Sequence, residues 1–177
     1  MRNDWYRIDV AAPSTWTWTA YPTPRSRFDS AGGGFRVRYA AQEARAAMRE
    51  RFDDQRRRLR PADLDLVLVR LTGAVRVLDL RREATLDALG LDDQISTSRA
   101  PDVWAGCQLL VDRVRGWFGP RCDGLVYRSR TTPERSANLA FFEAAPLTPA
   151  SLGALRDQGT LIDSCILTDG FDVRGWR

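Results

Sequence analysis

The sequence predicts an α+β fold with mixed or antiparallel sheets and flanking helices. Strand-like segments outnumber helical ones, and the two kinds do not alternate regularly as a doubly wound parallel fold would require. A length of 177 residues and an apolar fraction of 44% are sufficient for one buried core. We therefore expect a single domain over residues 1–177.

The N-terminal third is predicted to contain two strands, an aromatic loop and a long helix. Residues 4–10 (DWYRIDV) alternate in polarity and predict a strand. Residues 11–24 are rich in Pro, Thr and Trp, and predict a loop whose rings pack on the body or flank a cleft. Residues 25–34 carry three consecutive glycines and predict a flexible turn before the strand FRVRYA at 35–40. Apolar residues then recur every four positions, which predicts a helix over 42–58.

The remaining elements follow from alternation, apolar spacing and turn residues. Residues 64–70 and 74–80 are rich in β-branched side chains and flank Thr72-Gly73, which predicts two strands joined as a hairpin. The other predicted helices are 86–91, 103–118 and a segment near 149–156; the other predicted strands are 124–128, 137–142 and 161–168; predicted loops are 95–101 and 131–136.

The charge is carried in an unusual way. The chain has 27 basic residues, all of them arginine, against 23 acidic ones, for a net charge of +4, and it has no histidine. Without lysine or histidine, a Walker-type phosphate loop, a Schiff-base enzyme and a histidine-activated Ser or Cys nucleophile are excluded. Arginine stays protonated and binds phosphate or carboxylate through two parallel hydrogen bonds. The composition favours anion binding over proton transfer.

Three widely spaced cysteines, Cys107, Cys122 and Cys165, lack the spacing of metal ligands. We interpret them as small buried residues in a reducing compartment, and we predict neither a metal nor a disulfide. No apolar run is long enough to span a bilayer, and the first residues lack the apolar stretch of a secretory signal. The expectation is a cytoplasmic protein without a membrane partner.

Five polar residues are candidates for a binding site: Arg7, Arg27, Tyr39, Glu50 and Ser129. Two lie on predicted strands, one opens the glycine turn, one flanks the apolar stripe of the helix, and one ends a strand. Functional sites on rigid scaffolds form at such positions. Each residue alone is more often ordinary surface or core, but together they predict a site for an anionic sugar-phosphate ligand.

The motifs that contain these residues resemble the RES domain family, named for its Arg, Glu and Ser. The family's order is followed from about residue 5 to 143, whereas the extension 144–177 matches less well. The matching pieces are Tyr6-Arg7, SRFD (26–29), VRYAAQEARAAMRE (37–50), DVWAGCQLL (102–110), DGLVYRSR (123–130) and NLAFFE (138–143). Ser26 stands where the family often has glycine.

The resemblance implies a fold similar to that of ADP-ribosyltransferase toxins. It further implies a toxin that cleaves the nicotinamide–ribose bond of NAD, by glycohydrolysis or phosphorolysis, without a metal. Glu50, Arg27 and Tyr39 would be catalytic, and Arg7, Arg27, Tyr39 and Ser129 would bind NAD. The implied partner is a cognate antitoxin, expected to be an Xre-like helix-turn-helix protein, and a homo-oligomer is left open.

Two alternatives stay open from the residues. One is an ADP-ribosyltransferase that modifies a protein; the other is a non-enzymatic nucleic-acid-binding or protein-binding domain. The run RRRLR at residues 56–60 would serve nucleic acid, but arginines at a helix C-terminus also have a structural explanation. Because acidic residues are interleaved with the arginines, direct nucleic-acid binding is not expected.

Overall fold

The computed structural model describes residues 4–131 and 136–176. Within these ranges it contains nine strands and five α-helices. The strands are β1 (Trp5–Asp9), β2 (Val37–Ala41), β3 (Arg58–Leu59), β4 (Val67–Gly73), β5 (Val77–Asp79), β6 (Gly124–Arg128), β7 (Ala137–Phe142), β8 (Leu147–Ala154) and β9 (Asp172–Val173). The α-helices are α1 (Ala44–Phe52), α2 (Glu83–Leu89), α3 (Gln94–Thr97), α4 (Pro101–Phe118) and α5 (Gly159–Asp169).

Seven strands form one mixed sheet in the order β5-β6-β7-β2-β1-β4-β8. Neighbouring strands run antiparallel except β5 and β6, which run parallel. The short strands β3 and β9 pair in parallel beside this sheet. The predicted α+β class with a mixed sheet and flanking helices is confirmed.

The large sheet folds back on itself. Strands β4 and β5 are five places apart in the sheet, about 24 Å at the usual strand spacing. Only residues 74–76 connect them, and the four Cα–Cα steps from Gly73 to Val77 reach about 15 Å at most. The half-sheet β1-β4-β8 therefore faces the half-sheet β5-β6-β7-β2. Buried side chains from both halves form the shared core, including Val69 and Leu71 from β4, and Val126 and Leu139 from β6 and β7.

The two half-sheets are joined at one place only. Strands β1 and β2 share the single register pair Tyr6–Ala41, whereas β1 with β4 and β2 with β7 share five pairs each. Beyond Tyr6–Ala41 the two strands diverge. We call this opening between β1 and β2 the split.

Helices cover the outer face of each half-sheet. Helix α4 packs Cys107, Val111 and Val114 onto β2, β6 and β7, together with residues of α2 and α3. Helices α1 and α5 pack Met48, Phe52 and other apolar residues onto β1 and β4 in a second core. Because each half-sheet has its own helices, a groove is left between the two groups, directly over the split.

Several predicted elements match the structure closely. Strands β6 and β7 have the predicted bounds, and α4 begins two residues before the predicted helix and ends at the same residue. The three cysteines are free and buried, as predicted. The predicted loop at 131–136 lies mostly outside the described residues.

The helix predicted over residues 42–58 is shorter than expected. Helix α1 ends at Phe52, and Arg56 and Arg57 take left-handed backbone angles, with φ of 51° and 58°. The arginine run therefore does not end the helix. Arg58 enters β3, and the Arg57 guanidinium donates to the carbonyl oxygen of Asp169 at 2.7 Å.

The hairpin predicted over residues 64–80 is wrong. Both strands exist, but β4 pairs with β1 and β8, and β5 pairs with β6. Gly73 has a φ of 150°, and a Cβ there would lie 2.3 Å from the Pro146 carbonyl oxygen. The glycine permits this close approach of the chain before β8, and not a tight turn back along β4.

The predictions for the C-terminal segment are also wrong, because strand and helix are exchanged. The segment near 149–156, predicted to be helical, lies largely in the exposed edge strand β8, where Pro149 is tolerated at the sheet edge. The segment 161–168, predicted to be a strand, lies in α5 and buries Ile162, Cys165 and Asp169 at helical spacing. Its β-branched content misled the prediction, and the apolar period was the better signal.

The glycine turn is ordered and not a flexible connection. Gly33 has a φ of 63°, and a Cβ there would lie 2.9 Å from the Tyr21 carbonyl oxygen. The Gly32 amide donates to Asp112 Oδ2 at 3.1 Å, and the Gly34 amide donates to Ser30 Oγ at 3.0 Å. These bonds fix the turn against α4.

Candidate active site

A cleft of about 730 Å³ lies over the split. Four of the five predicted site residues, Arg7, Arg27, Tyr39 and Glu50, line it. The fifth, Ser129, is buried and hydrogen-bonds Glu50. The structure therefore brings together all five residues, although they come from β1, the turn before β2, β2 itself, α1 and the end of β6.

Glu50 is held by two hydroxyl groups. Its Oε1 atom accepts hydrogen bonds from Ser129 Oγ at 2.6 Å and from Thr131 Oγ1 at 2.7 Å. We call Ser129 and Thr131 the hydroxyl pair. Within the residues that the structure describes, Oε2 of Glu50 has no hydrogen-bond partner. Short bonds to an ionised acceptor are among the stronger ones in proteins, so one carboxylate oxygen is fixed while the other remains available.

Tyr39 uses its hydroxyl inside the protein. Oη donates to Asp29 Oδ1 at 2.8 Å and accepts the Phe28 amide at 3.1 Å. Burial, and then the charge of Asp29, raise the pKa of the Tyr39 phenol well above its ordinary value, so the group stays neutral. The other Asp29 oxygen accepts the amides of Arg25 and Ser26, each at 2.8 Å. Tyr39 thus ties the turn to β2, and what remains to face the cleft is its ring.

Arg27 is buried, and its donors are used by the backbone around α3. Nη1 donates to the carbonyl oxygen of Ile95 at 2.9 Å, and Nη2 donates to that of Ser98. The guanidinium also lies 5.4 Å from the centre of the Trp104 ring. Carbonyl groups in the last turn of a helix lack intrahelical hydrogen-bond donors, and the Arg27 guanidinium provides donors for those of α3. The predicted contact of Arg27 with the ligand stays a prediction; its contacts here position α3 at the rim of the cleft.

Arg7 lies in the split itself. Its Nε donates to Asp9 Oδ2 at 2.6 Å, and its Nη1 donates to the Tyr39 carbonyl oxygen at 2.9 Å. Tyr39 belongs to the part of β2 that β1 no longer pairs with. The side chain of Arg7 therefore replaces a missing strand-to-strand bond and places a cation where the half-sheets separate.

The lining is rich in charge and positive on balance. Six arginines and four carboxylates line the cleft among the described residues. They are Arg7, Arg27, Arg36, Arg51, Arg99 and Arg130, with Asp9, Glu50, Asp53 and Asp54. Arg38 lies just beyond, with Nη1 at 3.3 Å from Asp9 Oδ2, and burial, then Arg7 and Arg36, lower its pKa to about 10. An excess of guanidinium groups in a cleft favours an anionic ligand.

Tyr127, Asn138 and Ser96 form a buried polar part of the cleft wall. The Tyr127 ring packs 4.7 Å from that of Phe28, and burial, followed by the charge of Glu50, raises the pKa of its phenol. Over the described ranges, Asn138 Oδ1 and Ser96 Oγ have no hydrogen-bond partner. Buried polar atoms are nearly always paired, so these two are exceptions.

Sequence reasoning missed four residues of this site: Asp29, Ser96, Thr131 and Asn138. Asn138 carried a visible signal, because it is the one polar side chain in the otherwise apolar strand segment ANLAFF. Thr131 follows Ser129 by two positions, which hinted at a shared direction. Nothing local marked Ser96 or Asp29, whose partners are distant in the chain or depend on the turn.

Other kinds of site were also considered in the described part of the chain. It contains no group of three or more His, Cys, Asp and Glu side chains placed to hold a metal ion. None of its helices combines the length and the apolar character needed to cross a membrane. The arginine run at residues 56–60, considered above as an alternative nucleic-acid site, is divided among separate contacts, with Arg58 4.0 Å from Asp172 and Arg60 3.1 Å from Asp63.

Comparisons with known proteins agree with this arrangement. No curated protein matches the sequence. One chain of the crystal structure of the M. tuberculosis MbcT-MbcA toxin-antitoxin complex is similar in fold, with a TM-score of 0.58 and 18% sequence identity over 92% of this chain and 88% of that chain. The family model described as "RES domain" matches residues 4–159, a range that holds the split, the cleft and all five predicted site residues. The chain therefore belongs to the RES domain family.

Proposed function

We propose that this chain is the toxin of a toxin–antitoxin pair and acts by cleaving the nicotinamide–ribose bond of NAD. The observation that carries the proposal is Glu50, a carboxylate in an arginine-rich cleft with one oxygen fixed by the hydroxyl pair. Its support from outside the site is membership of the RES domain family and a fold similar to a chain of a toxin–antitoxin complex.

The proposed chemistry needs no histidine. Nicotinamide leaves a cationic pyridinium as a neutral molecule when the C1′–N bond breaks and its electron pair stays on the ring nitrogen, so no general acid is required. The sugar left behind is an oxocarbenium-like cation. A preorganised carboxylate stabilises that charge, and Glu50 is fixed before the reaction begins.

The acceptor is water or phosphate in this proposal. Attack by water gives ADP-ribose and releases one proton, whereas attack by inorganic phosphate gives the corresponding 1-phosphate ester. Glu50 also lies where its carboxylate would take the proton of an attacking water. The two routes share every earlier step, so the same site serves either.

Other residues of the cleft suit the pyrophosphate, ribose and nicotinamide of NAD. Arg7 and Arg36 both line the cleft, and their positive charges would bind the pyrophosphate. The Tyr39 ring would stack against nicotinamide or ribose, and its engaged hydroxyl keeps it in place. The proposed partner, an antitoxin, would neutralise the chain by covering this cleft; its Xre-like character stays a prediction.

The test is incubation of the purified protein with NAD, with and without phosphate. Free nicotinamide and the ribosyl product are followed by chromatography. We expect wild type to release nicotinamide and Glu50→Gln to lower the rate about 10²–10³-fold, because a neutral amide stabilises the cationic sugar poorly. The product formed in each buffer identifies the acceptor.

A matched control comes from the position just before the same helix. Glu43 is exposed, precedes α1 and makes no side-chain cap bond, so Glu43→Gln removes one charge without touching the cleft. It should leave the rate unchanged. Absence of nicotinamide release by wild type in both buffers would overturn NAD cleavage, and release that appears only with an added protein acceptor would instead indicate an ADP-ribosyltransferase.

A further inference from the structure

Two buried side-chain oxygen atoms in the cleft wall make no hydrogen bond within the described residues. Asn138 and Ser96 are 3% and 1% exposed. Across the described residues, Asn138 Oδ1 and Ser96 Oγ have no hydrogen-bond partner, and both residues line the cleft. A buried acceptor without a partner destabilises the structure that contains it, so the empty cleft is expected to carry this cost and a bound ligand to relieve it.

The surroundings hold both groups in place. Asn138 lies on β7, in register with Ala41 of β2 and Tyr127 of β6. Burial, then the charge of Glu50, raises the pKa of the neighbouring Tyr127 phenol, and a hydrogen bond with the Asn138 side chain opposes that rise. Asn138 Oδ1 has no partner among the described residues, so the NH₂ group is the end of the amide that faces the phenol oxygen. That orientation of the amide leaves its oxygen as the free end. The free end is a hydrogen-bond acceptor.

Ser96 is held from the other side. It lies in α3, whose carbonyls are bound by Arg27, and its own amide donates to Asp93 at 3.0 Å. The Ser96 hydroxyl is therefore presented by a helix that a buried guanidinium fixes. A free hydroxyl that faces a ligand is able to donate, and together with Asn138 it offers one acceptor and one donor.

A primary carboxamide is complementary to an acceptor and a donor, because it has an NH₂ donor and a carbonyl acceptor on one carbon. We propose that Asn138 and Ser96 bind the carboxamide of nicotinamide, with its NH₂ donating to Asn138 Oδ1 and its carbonyl accepting from Ser96. This inference rests on the proposed function, and it assigns the cleft a preference for the amide over related dinucleotides. Ser129, predicted to contact the amide or ribose, instead gives its hydroxyl to Glu50.

A comparison of NAD with its 3-acetylpyridine analogue distinguishes the proposed hydrogen bond to Asn138 from the one to Ser96. The 3-acetylpyridine analogue of NAD keeps the carbonyl but replaces NH₂ by a methyl group, so it loses the bond to Asn138 and keeps that to Ser96. Both compounds are pyridinium cations. Comparing the ratio of their kcat/KM values between wild type and a variant therefore cancels their difference in intrinsic reactivity and in charge.

The expected pattern differs for the two residues. Asn138→Ala should reduce the wild-type preference for NAD over the acetylpyridine analogue by roughly tenfold, because the buried acceptor that rewarded the NH₂ group is gone. Ser96→Ala should lower both kcat/KM values by a similar factor and leave the ratio unchanged. Asn138→Asp keeps an acceptor oxygen and should keep the preference.

The outcomes are distinguishable. Thermal unfolding of each variant identifies a folding defect, and the aspartate variant supplies the comparison if Asn138→Ala does not fold. Suppose that Asn138→Ala is folded and cleaves NAD. If neither Asn138 variant then changes the ratio of the kcat/KM values for NAD and the acetylpyridine analogue, the assignment of Asn138 is overturned. If Asn138→Ala is unfolded, loss of the preference in Asn138→Asp overturns it. A wild-type protein that neither binds nor cleaves NAD overturns the proposed function, and this inference with it.

Discussion

At the scale of single residues, the site depends on side chains that hold other side chains. Glu50 is the candidate reactive group, but Ser129 and Thr131 determine where its carboxylate lies. The Tyr39 hydroxyl likewise donates to Asp29 and accepts the Phe28 amide. Ser129 was predicted to bind NAD, which stays a prediction, and its hydroxyl is observed to hold the Glu50 carboxylate.

We predict that Thr131→Val lowers kcat for nicotinamide release about tenfold with little change in KM. The valine keeps the shape of threonine but leaves Glu50 with one hydroxyl, so the carboxylate is less well fixed in the transition state. Ser129→Ala should act similarly, and the double variant should lose less than the product of the two factors, because the hydroxyl pair acts as a unit.

Thr131→Ser supplies the conservative comparison, since it restores the hydroxyl and should recover most of kcat. Thr160→Val, at an exposed position of α5, should leave both constants unchanged. A Thr131→Val enzyme with wild-type kcat would show that Ser129 alone fixes Glu50. Equal loss in the serine variant would indicate a packing defect and not a lost hydrogen bond.

At the scale of elements, α3 is the one that needs outside support. It has only four residues, and helices this short are not stable on their own. The buried guanidinium of Arg27 and the side chain of Trp104 donate hydrogen bonds to carbonyl oxygens at the C-terminal end of α3. Trp104 Nε1 donates to the Ser98 carbonyl oxygen at 3.2 Å. This dependence links the predicted site residue Arg27 to Ser96 in the cleft wall.

We predict that Arg27→Lys lowers the free energy of unfolding by about 1–3 kcal/mol, because an ammonium group lacks the planar fork that reaches several carbonyls at once. Urea denaturation measures this value. Amide hydrogen exchange should accelerate in α3 more than in α4 or β6. Arg82→Lys, an exposed position before α2 with no side-chain cap bond, is the matched control and should change neither quantity. Unchanged exchange in α3 would mean that Arg27 is not what holds it.

At the scale of the whole molecule, the divided sheet creates the cleft, and charged side chains line it. Among the described residues, one register pair links β1 to β2, and six arginines and four carboxylates line the cleft. Such a cleft raises the local concentration of an anion, and salt screens the effect over about 10 Å at 0.1 M ionic strength.

We predict that KM for NAD rises several-fold between about 50 mM and about 500 mM monovalent salt while kcat changes little. Arg51 lies on α1, is exposed and lines the cleft, so Arg51→Gln should raise KM at low salt and flatten its salt dependence. Arg113→Gln removes an exposed charge of α4 away from the cleft and should do neither. A KM for NAD that is independent of salt in the wild-type protein would contradict electrostatic attraction.

The sequence by itself determined the fold class, several of the elements, and four of the residues that line the cleft. Helix α4 was predictable because it buries residues at helical spacing, and β6 and β7 were predictable as short, mostly apolar runs between turn signals. The absence of lysine and histidine likewise limits the chemistry of this chain whatever its fold, because a missing side chain is missing at every position.

The tertiary structure alone decided which strands pair, what each polar group binds and where the opening lies. Residues 64–80 looked like a hairpin, and only contacts with β1, β6 and β8 separated the two strands. Nothing in the sequence indicated that Arg27 binds the carbonyl oxygens of Ile95 and Ser98, which lie 68 and 71 positions away in the chain. Local patterns record what a segment buries, whereas pairing and hydrogen bonding depend on groups brought together only when the chain folds.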